Sequence, residues 1–405
     1  MKKAVLIDSN KFQDYDFGPS HPLTPKRLLL TRRLIEEFNL LDGSMTTVEE
    51  ARYATDEEVG LIHGDTFIKL LKKASEPSYN GGAMWEIGLG PGDNPIFPHL
   101  YESSCLYVGG SLVAADLLMK NEAEHAFNIS GGLHHAMGSK AVNSKGETID
   151  SGRDDRASGF CILNDCAIVA AYLIKKYGVK KIAYLDVDAH AGDGMVYINY
   201  KLPNVLTISI HQHGRSLFPG TCYLNEIGED EGKGYSVNIP IMPYTFEEPY
   251  LKILNQAVAP ILKAYNPEVL ITQLGVDTHY TDPLTMLALS TNTYRQIAKF
   301  IHKISHKACN NKWIALGGGG YSPDIVGKSW MLYFAEMAEK EVSGKLTQSW
   351  IEYAKKIGIK IQNEDVIDEF DIETRMKPDD INYIKEKTDE IIEAVKETIF
   401  PYFKI

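Results

Sequence analysis

The chain has 405 residues, of which 44% are hydrophobic and 24% charged, a composition typical of a soluble globular protein. Its formal net charge of −12 argues against a general nucleic-acid-binding protein, and no stretch reaches the roughly 18 apolar residues of a membrane span. Five scattered cysteines with no C-x-x-C pair argue against a disulfide framework, and the first apolar run is too short for a secretory signal. We therefore expect a cytoplasmic protein with no direct nucleic-acid partner and no membrane partner.

Short apolar segments rich in β-branched residues are predicted to be buried parallel strands, at 3–7, 125–130, 181–187, 204–210, 268–275 and 312–318. Segments with helical character separate them, at 102–120, 163–178 and 247–265. This alternation predicts an α/β fold over residues 1–340, with a central, mostly parallel sheet flanked by helices. The charged residues 341–405 are predicted to form a helical C-terminal extension packed on that domain. Its last helix would bury an apolar face made of Ile381, Ile384, Ile391, Val395 and Ile399.

Polar side chains follow most of the predicted strands. Ligands of open α/β sheets bind at the carboxyl ends of the strands, where residues far apart in sequence meet. We therefore expect one shared site for the polar residues at these ends, which are His134, His135, Asp188, His190, Asp277 and Tyr321.

A metal ion is the simplest compensation for the carboxylates in "KIAYLDVDAHAGDG", because burying an unpaired carboxylate costs several kcal/mol. Asp188, His190 and Asp277 would supply two carboxylates and one imidazole, which leaves coordination positions open as in catalytic sites. A D-x-D-x-H pattern alone is weak, since such residues often satisfy turn amides. A calcium loop of the EF-hand type is excluded because the twelfth position from Asp186 is Tyr197 rather than Glu.

The tandem histidines His134 and His135 could supply a base, provided that each ring is oriented by a carboxylate. Asp186 and Asp193 are the spare carboxylates of the same stretch. Tyr321, after a glycine run, could donate a hydrogen bond to a developing oxyanion. Such a pair of histidines is more often structural than catalytic, and "LGGGGY" could be a nucleotide-binding turn, although it lacks the G-x-G-x-x-G pattern. Together the groups indicate metal-assisted hydrolysis of an amide.

Six motifs occur in the order found in one known family: "SGGLHHA", "ASGFCILND", "YLDVDAHAGDG", "SIHQHGRSLFPGT", "TQLGVDTHYTDPL" and "LGGGGY". The chain resembles the zinc-dependent histone deacetylases of the arginase/deacetylase superfamily and, among these, the prokaryotic acetoin utilization proteins. The resemblance covers about residues 5–335. It implies a single arginase/deacetylase-like domain with its active site at the carboxyl ends of the strands.

By this resemblance the three metal ligands would bind Zn²⁺ or, alternatively, Fe²⁺. His135 would be the general base for the metal-bound water, and His134 would assist electrostatically. Asp186 would orient His134 and Asp193 would orient His135, while Tyr321 would polarise the acetyl carbonyl.

The resemblance also implies residues that bind the substrate. Phe160 and Phe218 would wall a narrow channel around the aliphatic stem of lysine. Gly159 and Leu284 would shape that channel, and Asp93 would hold the substrate backbone at the rim.

Two internal features are implied as well. Arg27 resembles an arginine that lines an internal cavity thought to carry acetate away. A structural K⁺ ion would lie near Asp186 and Ser209.

The sequence departs from the family pattern in two places. The family usually reads His-His-Gly-Asp-Gly where this chain has Ala191 after the metal-ligand position His190, which leaves the core chemistry in place. Residues 137–156 form a polar insertion between His135 and Gly159, interpreted as a lid, a specificity loop, an oligomer contact or a tolerated surface insertion.

The leading hypothesis is a metal-dependent deacetylase that hydrolyses acetyl-lysine to lysine and acetate, with a metabolic protein such as an acetyl-CoA-forming synthetase as one candidate substrate. The alternative is an acetylpolyamine or other small-molecule amidohydrolase with the same core. An arginase-like enzyme with two metal ions and a non-catalytic binder of acetylated partners are less favoured. The sequence leaves the oligomeric state open.

Overall fold

A central sheet of eight strands organises the structure, a computed structural model that describes residues 1–405. The chain has ten strands, which are β1 (Lys2–Asp8), β2 (Thr46–Glu50), β3 (Ala123–Asn128), β4 (Lys140–Val142), β5 (Thr148–Asp150), β6 (Ile182–Asp186), β7 (Val205–Gln212), β8 (Ser236–Ile241), β9 (Val269–Gln273) and β10 (Trp313–Leu316). The sheet has the order β2-β1-β3-β10-β9-β6-β7-β8, and all its strand pairs are parallel. The predicted α/β fold with a parallel central sheet is therefore confirmed.

The six predicted strands correspond to β1, β3, β6, β7, β9 and β10. Every residue of β6, β7, β9 and β10 is buried, which explains their continuous apolar runs. Within the eight-stranded sheet, the two strands that the sequence did not reveal are β2 and β8, which are its edge strands. β2 is partly exposed and β8 contains Pro240, which only an edge strand accepts readily because proline lacks the ladder N–H.

Helices cover the sheet and account for most of the remaining chain. They are α1 (Lys26–Glu37), α2 (Asp56–Val59), α3 (Asp65–Ser75), α4 (Leu100–Met119), α5 (Asp165–Tyr177), α6 (Asp193–Ile198), α7 (Glu247–Ile253), α8 (Ala259–Tyr265), α9 (Thr291–Ala308), α10 (Pro323–Met337), α11 (Gln348–Lys356), α12 (Ile372–Arg375) and α13 (Pro378–Phe403). The single helix predicted over 247–265 is interrupted by a π-helical turn at Leu254–Val258. None of these helices combines the length and apolar character that crossing a membrane requires.

The segment after residue 340 contains α11, α12 and α13. Trp350 of α11 is fully buried, and its indole N–H donates to the carbonyl of Leu30, 3.0 Å away. The apolar face of α13 differs slightly from the prediction, since Ile392 is buried while Ile381 and Ile391 are only half-buried. The assignment of 341–405 as a separate extension stays a prediction.

The insertion 137–156 is a hairpin of the antiparallel strands β4 and β5. At its base, Asp155 Oδ1 lies 3.2 Å from the buried Nδ1 of His63. At its tip, Lys175 in the last turn of α5 donates to the carbonyl of Gly146, 2.8 Å away. Because α5 begins beside the histidine pair and runs away from it, the tip lies away from the carboxyl edge of the sheet. The tip therefore does not cover the strand ends, and the role of the insertion stays a prediction.

Candidate active site

The turn that carries the two histidines follows β3 and is held by the start of α5. The backbone N–H groups of Gly132 and Leu133 donate to the buried carboxylate of Asp165, with distances of 3.0 Å and 2.8 Å to its nearer oxygens. The side-chain amide of Asn164 donates to the carbonyl of His134, 3.0 Å away. Sequence reasoning assigned neither Asn164 nor Asp165, although both end the motif "ASGFCILND".

Each histidine of the pair contacts its own carboxylate. Nδ1 of His134 lies 2.7 Å from Asp186 Oδ2, and Nδ1 of His135 lies 2.7 Å from Asp193 Oδ1. The two Nε2 atoms are 3.1 Å apart, so one ring can donate a proton to the other. Burial disfavours the charged form of His134, but the carboxylates of Asp186 and other neighbours outweigh it and raise its pKa to about 9. Burial and the charge of His134 lower the pKa of His135.

The three predicted metal ligands converge at the ends of β6 and β9. Nδ1 of His190 lies 3.2 Å from Asp188 Oδ1 and 2.9 Å from Asp277 Oδ2. One donor atom from each residue lies within 4.8 Å of the others, and all three residues are buried. Burial and the neighbouring Asp188 raise the pKa of Asp277 to about 7, because two buried carboxylates lie close together and repel each other. This donor set fits a divalent cation.

The carboxylates of this set are also held by neighbouring donors. Asp188 Oδ2 accepts hydrogen bonds from Gln273 Nε2 at 2.6 Å and from the backbone N–H of Gly319 at 2.9 Å. A Cβ atom on Gly319 would lie 2.4 Å from Asp277 Oδ2. The glycine run before Tyr321 is therefore needed because its backbone touches the ligand carboxylates. Gln273 is a third residue that the sequence did not single out, after Asn164 and Asp165.

Aromatic rings surround the approach to these ligands. The ring centroid of Tyr321 is 6.4 Å from that of His190 and 5.8 Å from that of Phe160. The ring centroid of the exposed Phe218 lies 5.1 Å from that of His135. Gly159 is in direct contact with His135, since a Cβ there would lie 2.4 Å from its Cδ2. The structure thus brings Tyr321, Phe160, Phe218 and Gly159 together with the histidines.

Asp93 and Leu284 are exposed and lie farther out. The carbonyl of Asp93 is 3.3 Å from Nε2 of His21, whose ring centroid is 4.5 Å from that of Phe160. The N–H of Leu284 donates to Asp282, which also accepts the N–H of Tyr321. Asp93 is thus connected to Phe160 through His21, and Leu284 is connected to Tyr321 through Asp282. The contacts of Asp93 and Leu284 with a substrate stay predictions.

Arg27 lies behind the histidine turn and is buried. Its Nη1 donates to the carbonyl of Gly318, 2.6 Å away, and its guanidinium is 5.0 Å from the ring centroid of Trp330. Arg27 lines an internal cavity that shares Leu23 and Leu133 with the cavity around His134 and His135. This position is compatible with an acetate route, which remains a prediction.

Two other sequence features have clear surroundings. Asp186 lies opposite Ser209 in the register of β6 and β7, so the residues of the predicted K⁺ site are neighbours, while the ion stays a prediction.

Ala191 is buried in a small apolar cluster with Val196 and Cys222. The side chain that replaces the usual family histidine therefore packs against apolar groups.

The comparisons with known proteins agree with this geometry. Residues 21–337 match the histone deacetylase domain, so the chain belongs to the histone deacetylase family and is a deacetylase hydrolase. It is 38% identical over 353 residues to the acetoin utilization protein AcuC of Bacillus subtilis (strain 168), covering 87% of this chain and 86% of that protein. The AcuC protein of Staphylococcus aureus (strain MRSA252) is 36% identical, with the same coverage. The family resemblance inferred from the motifs is therefore confirmed.

A solved structure extends the likeness to the whole fold. The crystal structure of an HDAC homologue from Aquifex aeolicus has a TM-score of 0.83 and 28% sequence identity, covering 98% of this chain and 100% of that chain. A crystal structure of an HDAC homologue complexed with SAHA gives the same values.

Proposed function

We propose that this deacetylase hydrolyses acetyl-lysine in proteins or peptides, with Zn²⁺ bound by Asp188, His190 and Asp277, and releases acetate. One observation carries the proposal. A buried set of two carboxylates and one imidazole lies beside a histidine pair in which each ring has its own carboxylate, and aromatic rings line the approach. A narrow aromatic approach suits the uncharged aliphatic stem of acetyl-lysine.

Zn²⁺ bound by this set would supply a Lewis acid that polarises the acetyl carbonyl and acidifies a water molecule. Two carboxylate ligands reduce its positive charge, so a protein base is needed to take the proton of the attacking water. The buried and neutral His135 suits this role, because its Nδ1–H is fixed on Asp193 and Nε2 remains as the basic nitrogen. His135 then returns the proton to the amine of the leaving lysine.

His134 has a different role in the proposal. Its pKa of about 9 keeps it protonated at neutral pH, and its Nε2 lies 3.1 Å from His135 Nε2. A positive charge at this position stabilises the negative charge that develops on the acetyl carbonyl. It also keeps the pKa of His135 low.

Tyr321 donates a hydrogen bond to the acetyl oxygen in this mechanism. Burial and the nearby carboxylates of Asp277 and Asp188 raise its pKa well above the usual value, so the hydroxyl keeps its proton. Phe160 and Phe218 would flank the lysine stem, Gly159 and Leu284 would shape the passage, and Asp93 would hold the peptide backbone outside it.

Protein substrates are favoured over acetylpolyamines because the hairpin 137–156 extends along α5 away from the site, and so does not narrow its entrance. We also propose a cytoplasmic location, in agreement with five free cysteines.

A turnover screen of the Zn²⁺-loaded protein tests the proposal. The substrates are acetyl-lysine peptides, acetylpolyamines and lysines with longer acyl chains, and the His135→Ala variant gives the background rate. We expect the highest kcat/KM on acetyl-lysine peptides. Turnover of acetylpolyamines with none of the peptides would replace the proposed substrate, and a rate equal to that of His135→Ala on every acyl-amide would refute the proposed activity.

A further inference from the structure

A second group of side chains of metal-binding types lies toward the amino ends of the strands, on the side of the sheet away from the active site. It consists of His125 in β3 and of His302 and His306 in the last turns of α9. One donor nitrogen from each residue lies within 4.8 Å of the others. His125 is three residues before the end of β3, so about 10 Å of strand separates it from the start of the histidine turn of the active site. The three residues, called here the histidine cluster, take no part in the mechanism described above.

The distances within the histidine cluster agree with metal coordination. The Nε2 atoms of His125 and His306 are 3.3 Å apart. Two nitrogens bound tetrahedrally to one ion at the usual Zn–N length of about 2.0–2.1 Å would be about 3.3–3.4 Å apart. His302 and His306 are four residues apart in one helix, which places both rings on the same face. The ring centroids of these two residues are 4.5 Å apart, and those of His125 and His302 are 5.0 Å apart.

A carboxylate orients one of the rings. Nδ1 of His302 lies 3.1 Å from Glu336 Oε1 in α10, as is usual for a metal-binding histidine whose other nitrogen donates to a carboxylate. This arrangement leaves Nε2 of His302 as its ligand atom. That nitrogen is shielded from solvent and has no hydrogen-bond partner. A polar atom buried in this way is stabilised only if something binds it.

The electrostatic surroundings also favour a cation. Three carboxylates surround the histidine cluster, since Glu336 lies near His302 while Glu124 and Glu339 lie near His306. The nearest cation, Lys3, is paired with Glu339.

We propose that the histidine cluster binds one transition-metal ion of the Zn²⁺ class through three imidazoles, separately from the catalytic site. The exposed side of His306 leaves room for water as a further ligand. The ion connects β3 to α9 and, through Glu336, to α10. Its role is to stabilise the packing of these two helices on the amino edge of the sheet.

The metal stoichiometry of the untagged protein tests this proposal. The protein is stripped with a chelator and then titrated with Zn²⁺ in competition with a chromophoric chelator. We expect two ions per chain in the unmodified protein, one in His190→Ala, one in His302→Ala and none in the double variant. His99→Gln, which changes an exposed histidine outside both sites, is expected to keep two. A single ion that is lost in His190→Ala would overturn the proposal, as would a second ion that persists in His302→Ala.

A thermal measurement separates the second site from the catalytic one without any activity assay. In His190→Ala, excess Zn²⁺ is expected to raise the melting temperature, and the rise is expected to vanish when His306→Gln is added. His306 is exposed, so its replacement keeps the fold testable if His302→Ala does not fold. An equal rise with and without His306→Gln would refute the assignment of the ligands.

Discussion

A methyl group added at Gly159 would press on the ring proposed as the base. Gly159 has φ = +52°, and a Cβ there would lie 2.4 Å from Cδ2 of His135, whereas ordinary contact begins at 3.4 Å. The ring must therefore withdraw by about 1 Å, and a misplacement of this size costs roughly 100-fold in rate. We expect Gly159→Ala to lower kcat by that factor on an acetyl-lysine peptide.

Gly152 provides a matched control for the backbone strain. It also has a positive φ, +77°, but a Cβ there would meet no atom within 4 Å. Both variants should lose about 1–2 kcal/mol of stability, because alanine is disfavoured in left-handed backbone. Only Gly159→Ala should lose activity. Steady-state kinetics and thermal unfolding of both variants measure the two effects separately.

The outcome that refutes this reasoning is specific. The reasoning fails if Gly159→Ala keeps kcat within about threefold of the unmodified protein while its stability falls like that of Gly152→Ala. The rate would then not depend on the exact position of the His135 ring, although a positioned base requires that it does. The role of His135 as base would then have to be abandoned.

The remaining predictions concern the reacting groups. Tyr321→Phe should lower kcat by roughly 10²–10³ with unchanged metal content, and full activity would remove the tyrosine from the mechanism. Asp188→Asn should lower both bound metal, measured by elemental analysis, and turnover; normal metal content would contradict the ligand assignment. His135→Ala should lose more turnover than His134→Ala, and equal losses would contradict their separate roles. Asp186→Asn removes the anion that raises the pKa of His134 to about 9. The decline of activity at alkaline pH should therefore move to lower pH, and an unmoved pH–rate profile would refute a charged His134.

The strands that could be predicted from the sequence are those buried on both faces. β6 and β9 are continuous apolar runs because helices cover both sides of the sheet. β2 and β8 escaped prediction because an edge strand is stabilised by one neighbour and tolerates charges or Pro240. The hairpin 137–156 was recognised only as polar, since its direction depends on contacts such as that of Lys175 with Gly146.

The residues of the site also divide into those whose position could be predicted from the sequence and those whose position could not. The predicted proximity of His190 to Asp277 is confirmed by geometry, because parallel strands end at one edge. Asp165 and Gln273 could not be predicted, because their roles depend on which backbone groups or carboxylate they meet in space. Asp282 is similar, since it meets Tyr321 only after the loop has folded.

The position of β10 has a consequence for the order in which the enzyme becomes complete during synthesis. β10 is the last strand to be made, yet it lies between β3 and β9 in the middle of the sheet. The strands β2, β1 and β3, which lead to the histidine pair, share no strand pairing with those that lead to the metal ligands until residues 313–316 are inserted. A growing chain folds from its N-terminus as it emerges. The two parts of the catalytic centre therefore join late, and a chain that stops before residue 313 carries both parts without the strand that unites them.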